Sequence, residues 1–496
     1  MDHSPPSASI PRTVSSPSWF GSSALAWVCL GVFALLQAGA VTAVGLDFAA
    51  QALLVLCLLL VGSQILARPF VGLLAIALVT LSVHSSFTEG HRVRFLGFSW
   101  YLMDWPLVLM AAGALVRWSA GGRYRRRYLR LPLPLVLLIA YAVFAAVLGL
   151  VRGNQPRMVF YDLRPFVYYL TFVFVLVLVD SRRKLRLLVT SWILFSIVGS
   201  LWGIALAVSM APTLAYQAMG FFRIAGPSEP TYGLMLVFSL SLFPFVRGRL
   251  RILLLVQLLL SATALAFGYT RGSWLGTGVA AALLIGVLAR RSPRRLVPLA
   301  WVGGATLVAL VPVLFVLGMN PLDFVTSRVQ AGLRWSADLA ILCRLVEYRV
   351  VWAAWQEHPV LGTGLGHLFT FVQPLLGRGH WVYTHGSYLY VLSKMGIVGL
   401  VLFLTMLATF LVRGLRTFRR AEDGFLKGVS LGCVTALVFL MVKCFSTWSL
   451  NHFLLTMLVG LILGVLQWIS VEVAGSPRDG AAPDPDPGPQ PASGGT

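Results

Sequence analysis

Residues 182–208 read RRKLRLLVTSWILFSIVGSLWGIALAV. Four basic residues, Arg182, Arg183, Lys184 and Arg186, precede 22 residues that carry no charge at all. About 20 apolar residues wound as an α-helix match the hydrocarbon thickness of a bilayer, and a basic cluster at one end marks the cytoplasmic side. The same unit recurs along the chain. Apolar runs at 24–44, 49–66, 69–84, 98–116, 132–151, 165–180, 187–208, 231–246, 250–268, 272–289, 296–317, 386–412, 427–445 and 451–470 are candidate spans. Several are short, so the expected number is twelve to fourteen.

Composition agrees. Of 496 residues, 58% are hydrophobic and 11% charged, with a mean hydropathy of +0.83. Soluble domains carry about 25% charged residues, and one soluble core cannot bury this much apolar surface. These values exclude a soluble enzyme, a disordered chain and a secreted disulfide scaffold. The expected fold is an all-α polytopic integral membrane protein with one large external loop. A net charge of +22 invites a nucleic-acid reading, but the basic residues sit in short clusters between apolar runs, so no nucleic-acid partner is expected. The cysteines are Cys29, Cys57, Cys343, Cys433 and Cys444. Four lie in apolar runs and no pair has metal-ligand spacing, so neither a disulfide framework nor a metal site is expected.

Alternating the spans from a cytoplasmic N-terminus puts every multi-arginine cluster on one side: 117–130, 182–186, 247–251, 290–295 and 413–427. Both termini are then cytoplasmic and the number of spans even. Only Arg12 and a long polar stretch precede the first run, which reads as a retained span, not a signal peptide. The expected organisation is a disordered N-terminus at 1–23, a transmembrane bundle at 24–317, an external catalytic loop at 318–385, C-terminal spans at 386–470, and a Pro/Gly-rich cytoplasmic tail at 471–496. A loop as long as 318–385 is usually functional.

Within that loop, residues 343–367 read CRLVEYRVVWAAWQEHPVLGTGLGH. Apolar residues at 345, 348, 352 and 355 predict an amphipathic helix from Arg344 to Gln356, suited to the outer interface. Pro359 stops it, and Gly362, Gly364 and Gly366 predict a flexible turn. His385 then stands where the loop enters an apolar helix. Arg271, in GYTRGSWLG, lies on the same side between two spans with almost no loop, and Arg223, in FFRIAGPSEPTYG, precedes another span there. Arg344 opens the amphipathic helix, with Glu347 placed to pair with it at i+3. Each alone has an ordinary explanation: snorkelling, a loop charge or a solvated helix end. Gathered on one face, arginine forks bind phosphate oxygens and a histidine serves as general base. That combination suits displacement at a sugar carbon whose leaving group is a lipid diphosphate. Trp381, Tyr383 and Tyr388 are candidates for a sugar path or for an aromatic belt.

These residues fall into an ordered set: Tyr269-Thr270-Arg271-Gly272, Arg344-Leu345-x-x-Tyr348, Trp352-Ala353-Ala354-Trp355, His358-Pro359-x-Leu361-Gly362-x-Gly364-x-Gly366, Thr384-His385-x-x-Tyr388-Leu389 and Gly396-Ile397-x-Gly399. The set resembles the O-antigen ligase / Wzy-type O-antigen (exopolysaccharide) polymerase family over roughly 265–405. The resemblance implies a GT-C-like fold in the bacterial inner membrane. It implies a metal-independent, inverting glycosyl transfer at the periplasmic face, with no cofactor. The implied donor is an undecaprenyl-diphosphate-linked oligosaccharide and the acceptor a growing glycan or lipid A-core. A chain-length regulator and a flippase are implied partners. Carried over by position, Arg271 and Arg344 engage the donor diphosphate, Arg223 matches loosely, and His385 is the base. Gly386, Tyr348 and Thr270 stand where family members often have Asn, Trp and Ser. The motifs do not separate polymerase from ligase; the departure at Gly386 and the long tails favour polymerase. A flippase or transporter is the competing class. It is disfavoured by the lack of paired broken helices and by the scarcity of acidic residues in spans, Asp104 being the main one.

Overall fold

The computed structural model describes residues 60–82, 92–95, 98–101, 104–119, 131–210, 229–268, 270–316, 326, 339–373, 377–381, 384–447 and 453–475. The chain is all-α and polytopic. Fourteen α-helices follow one another among the described residues: α1 (Phe70–Ser82), α2 (Asp104–Ser119), α3 (Leu133–Val151), α4 (Pro156–Tyr168), α5 (Thr171–Leu178), α6 (Arg182–Met210), α7 (Glu229–Leu242), α8 (Arg249–Gly268), α9 (Arg271–Arg291), α10 (Leu296–Val316), α11 (Leu339–Glu357), α12 (Ser387–Arg420), α13 (Gly424–Lys443) and α14 (Phe453–Ala474). Eight helical segments, with α4 and α5 counted as one, are long and apolar enough to cross a bilayer, and three shorter apolar helices accompany them. The first two candidate spans lie largely outside the described residues. Two antiparallel hairpins, β1 (Arg92–Phe95) with β2 (Phe98–Tyr101) and β3 (Phe369–Gln373) with β4 (Gly377–Trp381), were not foreseen. The candidate span 98–116 therefore begins as a strand and turns helical only at Asp104.

The core is organised around α13 and α14. Helix α13 packs against α7, α9 and α12, and α14 against α5 and α12. Most of α14 is buried, including Trp468, whose indole N–H donates to the Val179 carbonyl just past α5 at 2.6 Å. Small residues permit the close approaches: a Cβ on Gly460 would lie 1.9 Å from Thr171 Oγ1, and that hydroxyl donates to the Met457 carbonyl at 2.9 Å. In an apolar solvent such contacts replace the hydrophobic drive that packs soluble helices.

The arginine clusters gather at one end of the bundle. There Arg186 at the start of α6 lies 5.4 Å over Phe425 at the start of α13. Arg295 lies 4.0 Å over Phe245, and Arg182 pairs with Glu472 near the end of α14 at 3.2 Å. Residues 358–367, 385–387 and 443–447 sit at the opposite end.

The candidate span 165–180 begins earlier than its hydropathy suggests. Helix α4 starts at Pro156, and with α5 forms one 23-residue crossing, Pro156–Leu178. Two of its charges, Asp162 and Arg164, are buried in partnered form. Arg164 reaches Asp104 at 3.6 Å, and the Tyr168 hydroxyl donates to the same carboxylate. Asp162, fully enclosed, accepts from Lys394 of α12 and, at 2.6 Å, from the Gly366 amide. Removing a charge from water is costly unless it is paired and hydrogen-bonded, and both carboxylates meet that condition.

This second pair anchors residues 358–367, which are not a flexible turn. Helix α12 is broken at Gly396 (φ +67°), leaving backbone groups on either side without intrahelical partners. The loop supplies them. Thr363 and Gly364 amides donate to the Ser393 and Lys394 carbonyls at 2.8 and 3.0 Å, and the Ile397 amide donates to the Pro359 carbonyl at 3.0 Å. Leu365 donates to Ala145 of α3 at 3.0 Å, while Arg152 and Asn154 donate to the Gly362 and Leu365 carbonyls. A Cβ on Gly364 (φ +83°) would lie 2.6 Å from the Gly149 Cα, and one on Gly396 would lie 2.0 Å from the Val360 oxygen. Neither position admits a side chain. Next to the loop, burial and the Lys394 ammonium hold the His367 imidazole below its ordinary value. It stays neutral and packs edge-on at 5.2 Å from Phe369.

Lys394→Met leaves a buried carboxylate unpaired and should destabilise the protein by about 3–5 kcal/mol, read as a lowered unfolding temperature in detergent. Lys394→Met with Asp162→Asn should recover most of that loss.

Candidate active site

Helix α11 presents two stripes. Cys343, Glu347 and Val351, four residues apart, are buried, Val351 against Phe369 and Phe371 of β3. Leu345 and Trp352, from the apolar stripe anticipated in the sequence, are exposed, and Trp352 packs on Trp355 at 4.6 Å. The buried stripe carries a carboxylate, and that carboxylate makes the site.

Glu347, 2% exposed, holds His385 with both oxygens. One accepts from the His385 backbone N–H, and the other lies 2.7 Å from the ring Nδ1. For Nδ1 to donate to a carboxylate it must carry the proton, which leaves Nε2 of the neutral ring as the basic nitrogen. The imidazole is about one-third exposed. It is fixed from behind and open in front, the arrangement by which a carboxylate orients a histidine and stabilises its charged form. Glu347 was expected to serve Arg344 on its own helix; its two oxygens serve His385 instead.

Three separate elements meet on the turn that ends α13. The Ser387 amide, two residues past His385, donates to the Cys444 carbonyl at 3.0 Å. The Tyr348 hydroxyl, one helical turn beyond Arg344, donates to the Phe445 carbonyl at 2.9 Å; burial pushes this phenol up, which keeps it a donor. A Cβ on Gly272, next to Arg271, would lie 2.4 Å from Ser446 Oγ. Arg271, Arg344 and His385 are thus carried by segments fastened to residues 444–446. Arg271 and Arg344 are both partly buried. Arg223 and Tyr383 lie outside the described residues. Tyr388 faces the bundle, its hydroxyl donating to the Met441 carbonyl at 2.8 Å and its ring 4.7 Å from Phe445.

One cation of this knot escaped the sequence reading. Lys443, the last residue of α13, is fully buried and donates to Ser273 Oγ in the first turn of α9. The signal was present: a lysine inside the apolar run 427–445, at the end opposite the arginine clusters, is a costly intramembrane charge and so a site candidate. Arg271 is the first residue of α9, so Lys443 adds its charge at the positive end of that helix's dipole. No cluster of His, Cys, Asp and Glu suited to a metal ion occurs among the described residues. Arginines on segments tied to one turn are of the chemistry that binds a multiply charged anion, and a carboxylate-oriented imidazole is of the kind that accepts a proton.

Residues 256–404 match the family model described as O-antigen ligase. This segment is an O-antigen ligase domain. It runs from the middle of α8 to the middle of α12 and contains Arg271, Arg344, Glu347 and His385; Lys443 is supplied from outside it. No curated protein matches the chain. With eight helical segments long and apolar enough to cross a bilayer, the chain is a membrane protein that carries an O-antigen ligase domain.

A charge-assisted hydrogen bond is worth about 1.5–3 kcal/mol. Arg271→Gln should therefore weaken binding of inorganic pyrophosphate to the purified protein about tenfold or more, measured by titration calorimetry.

Proposed function

We propose that the protein is an inner-membrane glycosyltransferase that moves a glycan from an undecaprenyl-diphosphate carrier to a hydroxyl acceptor at the periplasmic face. The observation that carries this reading is the Glu347–His385 pair fastened to the same turn as Arg271 and Arg344. Nε2 of His385 takes the proton of the acceptor hydroxyl as its oxygen forms a bond to the anomeric carbon. The bond from that carbon to the diphosphate oxygen breaks on the opposite face, and the electron pair leaves with the lipid diphosphate. Glu347 stabilises the imidazolium formed in this step. Arg271, Arg344, Lys443 and the N-terminus of α9 stabilise the charge that develops on the leaving group. A one-step displacement of this kind inverts the anomeric configuration and uses no metal. Arg223, on a segment that precedes α7, is proposed as a further contact to the donor.

The favoured acceptor is a second lipid-linked repeat unit, which makes the reaction polymerisation of O-antigen or exopolysaccharide. Transfer to lipid A-core is the second reading, and the description of the matched family as O-antigen ligase favours it. In this account residues 318–385 form the catalytic loop between the two groups of spans, while a chain-length regulator and a flippase act on the same substrate pool.

Complementation of a deletion strain separates these readings. His385→Ala should abolish the glycan product, and Glu347→Gln should lower it about a hundredfold, within the range that general-base catalysis contributes, with both variants present in the membrane at wild-type level. Accumulation of single lipid-linked repeat units identifies a polymerase; accumulation of long lipid-linked polymer beside bare lipid A-core identifies a ligase. A normal profile from His385→Ala overturns the assignment.

A further inference from the structure

At the end of the bundle opposite the active site, α12 and α14 part to leave a groove of about 550 Å³. Arg413, Arg416 and Arg420 line it together with Thr409, Ala408 and Ser470. The three arginines fall at i, i+3 and i+7, one face of a helix. Arg413 is fixed in place: its guanidinium donates to Gln467 Oε1 of α14 and lies 5.7 Å from the Phe410 ring. Arg416 and Arg420 are exposed, and nothing in the proposed reaction uses them.

We propose that this groove binds the headgroup of an anionic phospholipid, with an acyl chain lying along the α12–α14 seam. Two observations select a lipid over a free anion. First, the groove is polarised along α12. Its cations occupy 413–420, whereas the wall from Val412 back to Thr405, nearer the middle of the crossing, carries no charge. From 405 to 420 the helix rises about 22 Å, the scale of a headgroup with much of an acyl chain. Second, the charges sit at the arginine-rich end, where helices of this handed charge pattern meet the anionic leaflet. Arginine forks match phosphate oxygens, and the Thr409 hydroxyl, which donates to the Thr405 carbonyl at 2.7 Å, keeps lone pairs for a headgroup hydroxyl.

The test uses the full chain in detergent, titrated with phosphatidylglycerol, phosphatidylcholine or inorganic phosphate and read by thermal unfolding and by native mass spectrometry of retained lipid. Wild type should be stabilised by phosphatidylglycerol and not by the other two. Arg416→Gln with Arg420→Gln removes two exposed charges without touching the Arg413–Gln467 bond. At about fivefold per basic residue near an anionic surface, it should weaken phosphatidylglycerol binding about thirtyfold. Ala408→Trp, which fills the groove and leaves the charges, should also reduce lipid retention. Equal retention by wild type and the double variant overturns the proposal, as does equal stabilisation by inorganic phosphate, which would make the groove a free-anion site.

Discussion

The fold depends on one buried carboxylate. Asp162 sits where water does not reach, and a bare carboxylate there would be prohibitively costly. It is tolerated because Lys394 and the Gly366 amide converge on it. That convergence joins three parts of the chain: α4, the broken helix α12 and the glycine loop between α11 and β3. Once the loop is seated, its amides and carbonyls complete the hydrogen bonds that the break at Gly396 leaves open. The start of α12, with His385 just ahead of it, is then held in place. A buried charge pair and a set of glycines thereby fix the position of His385.

The candidate site follows the same logic. None of its residues is placed by its own helix alone. Arg271 opens α9, Arg344 and Glu347 ride on α11, His385 precedes α12, and Lys443 closes α13, and their segments are tied together by hydrogen bonds to a four-residue turn. The turn lies outside the matched domain 256–404, so the candidate site joins residues of that domain to a helix that follows it. Electrostatic stabilisation of a leaving diphosphate needs donors that do not reorganise as charge develops. Fastening each cation to a separate rigid helix is one way to obtain them.

Much of this was legible beforehand. Hydropathy locates most spans, because a bilayer imposes a length on any helix that crosses it. Arg271, Arg344 and His385 are recognisable as costly charges or bases on one side. The errors share a cause: they concern pairs distant in sequence. Asp162 and Arg164 make 156–164 look too polar for a membrane helix, since their neutralising partners, Lys394 and Asp104, lie far away. Glu347 is 38 residues from His385, while Arg344 stands only one turn away and is the obvious partner on a helical wheel. Lys443 resembles a snorkelling lysine until Ser273 is seen beside it. Glycines at 362, 364 and 366 read the same in a loose turn as in a locked one; only Gly149 and the backbone across from them distinguish the two.

The central claim is that a carboxylate-oriented histidine and a fixed cation cluster carry out a single displacement at a sugar carbon. The most direct measurement reconstitutes the purified protein in vesicles with chelator, supplies an undecaprenyl-diphosphate oligosaccharide of known anomeric configuration and a hydroxyl acceptor, and determines the configuration of the new linkage by NMR. The account predicts transfer with inversion, release of undecaprenyl diphosphate, and loss of both with His385→Ala. Retained configuration, or unchanged transfer by that variant, would contradict it.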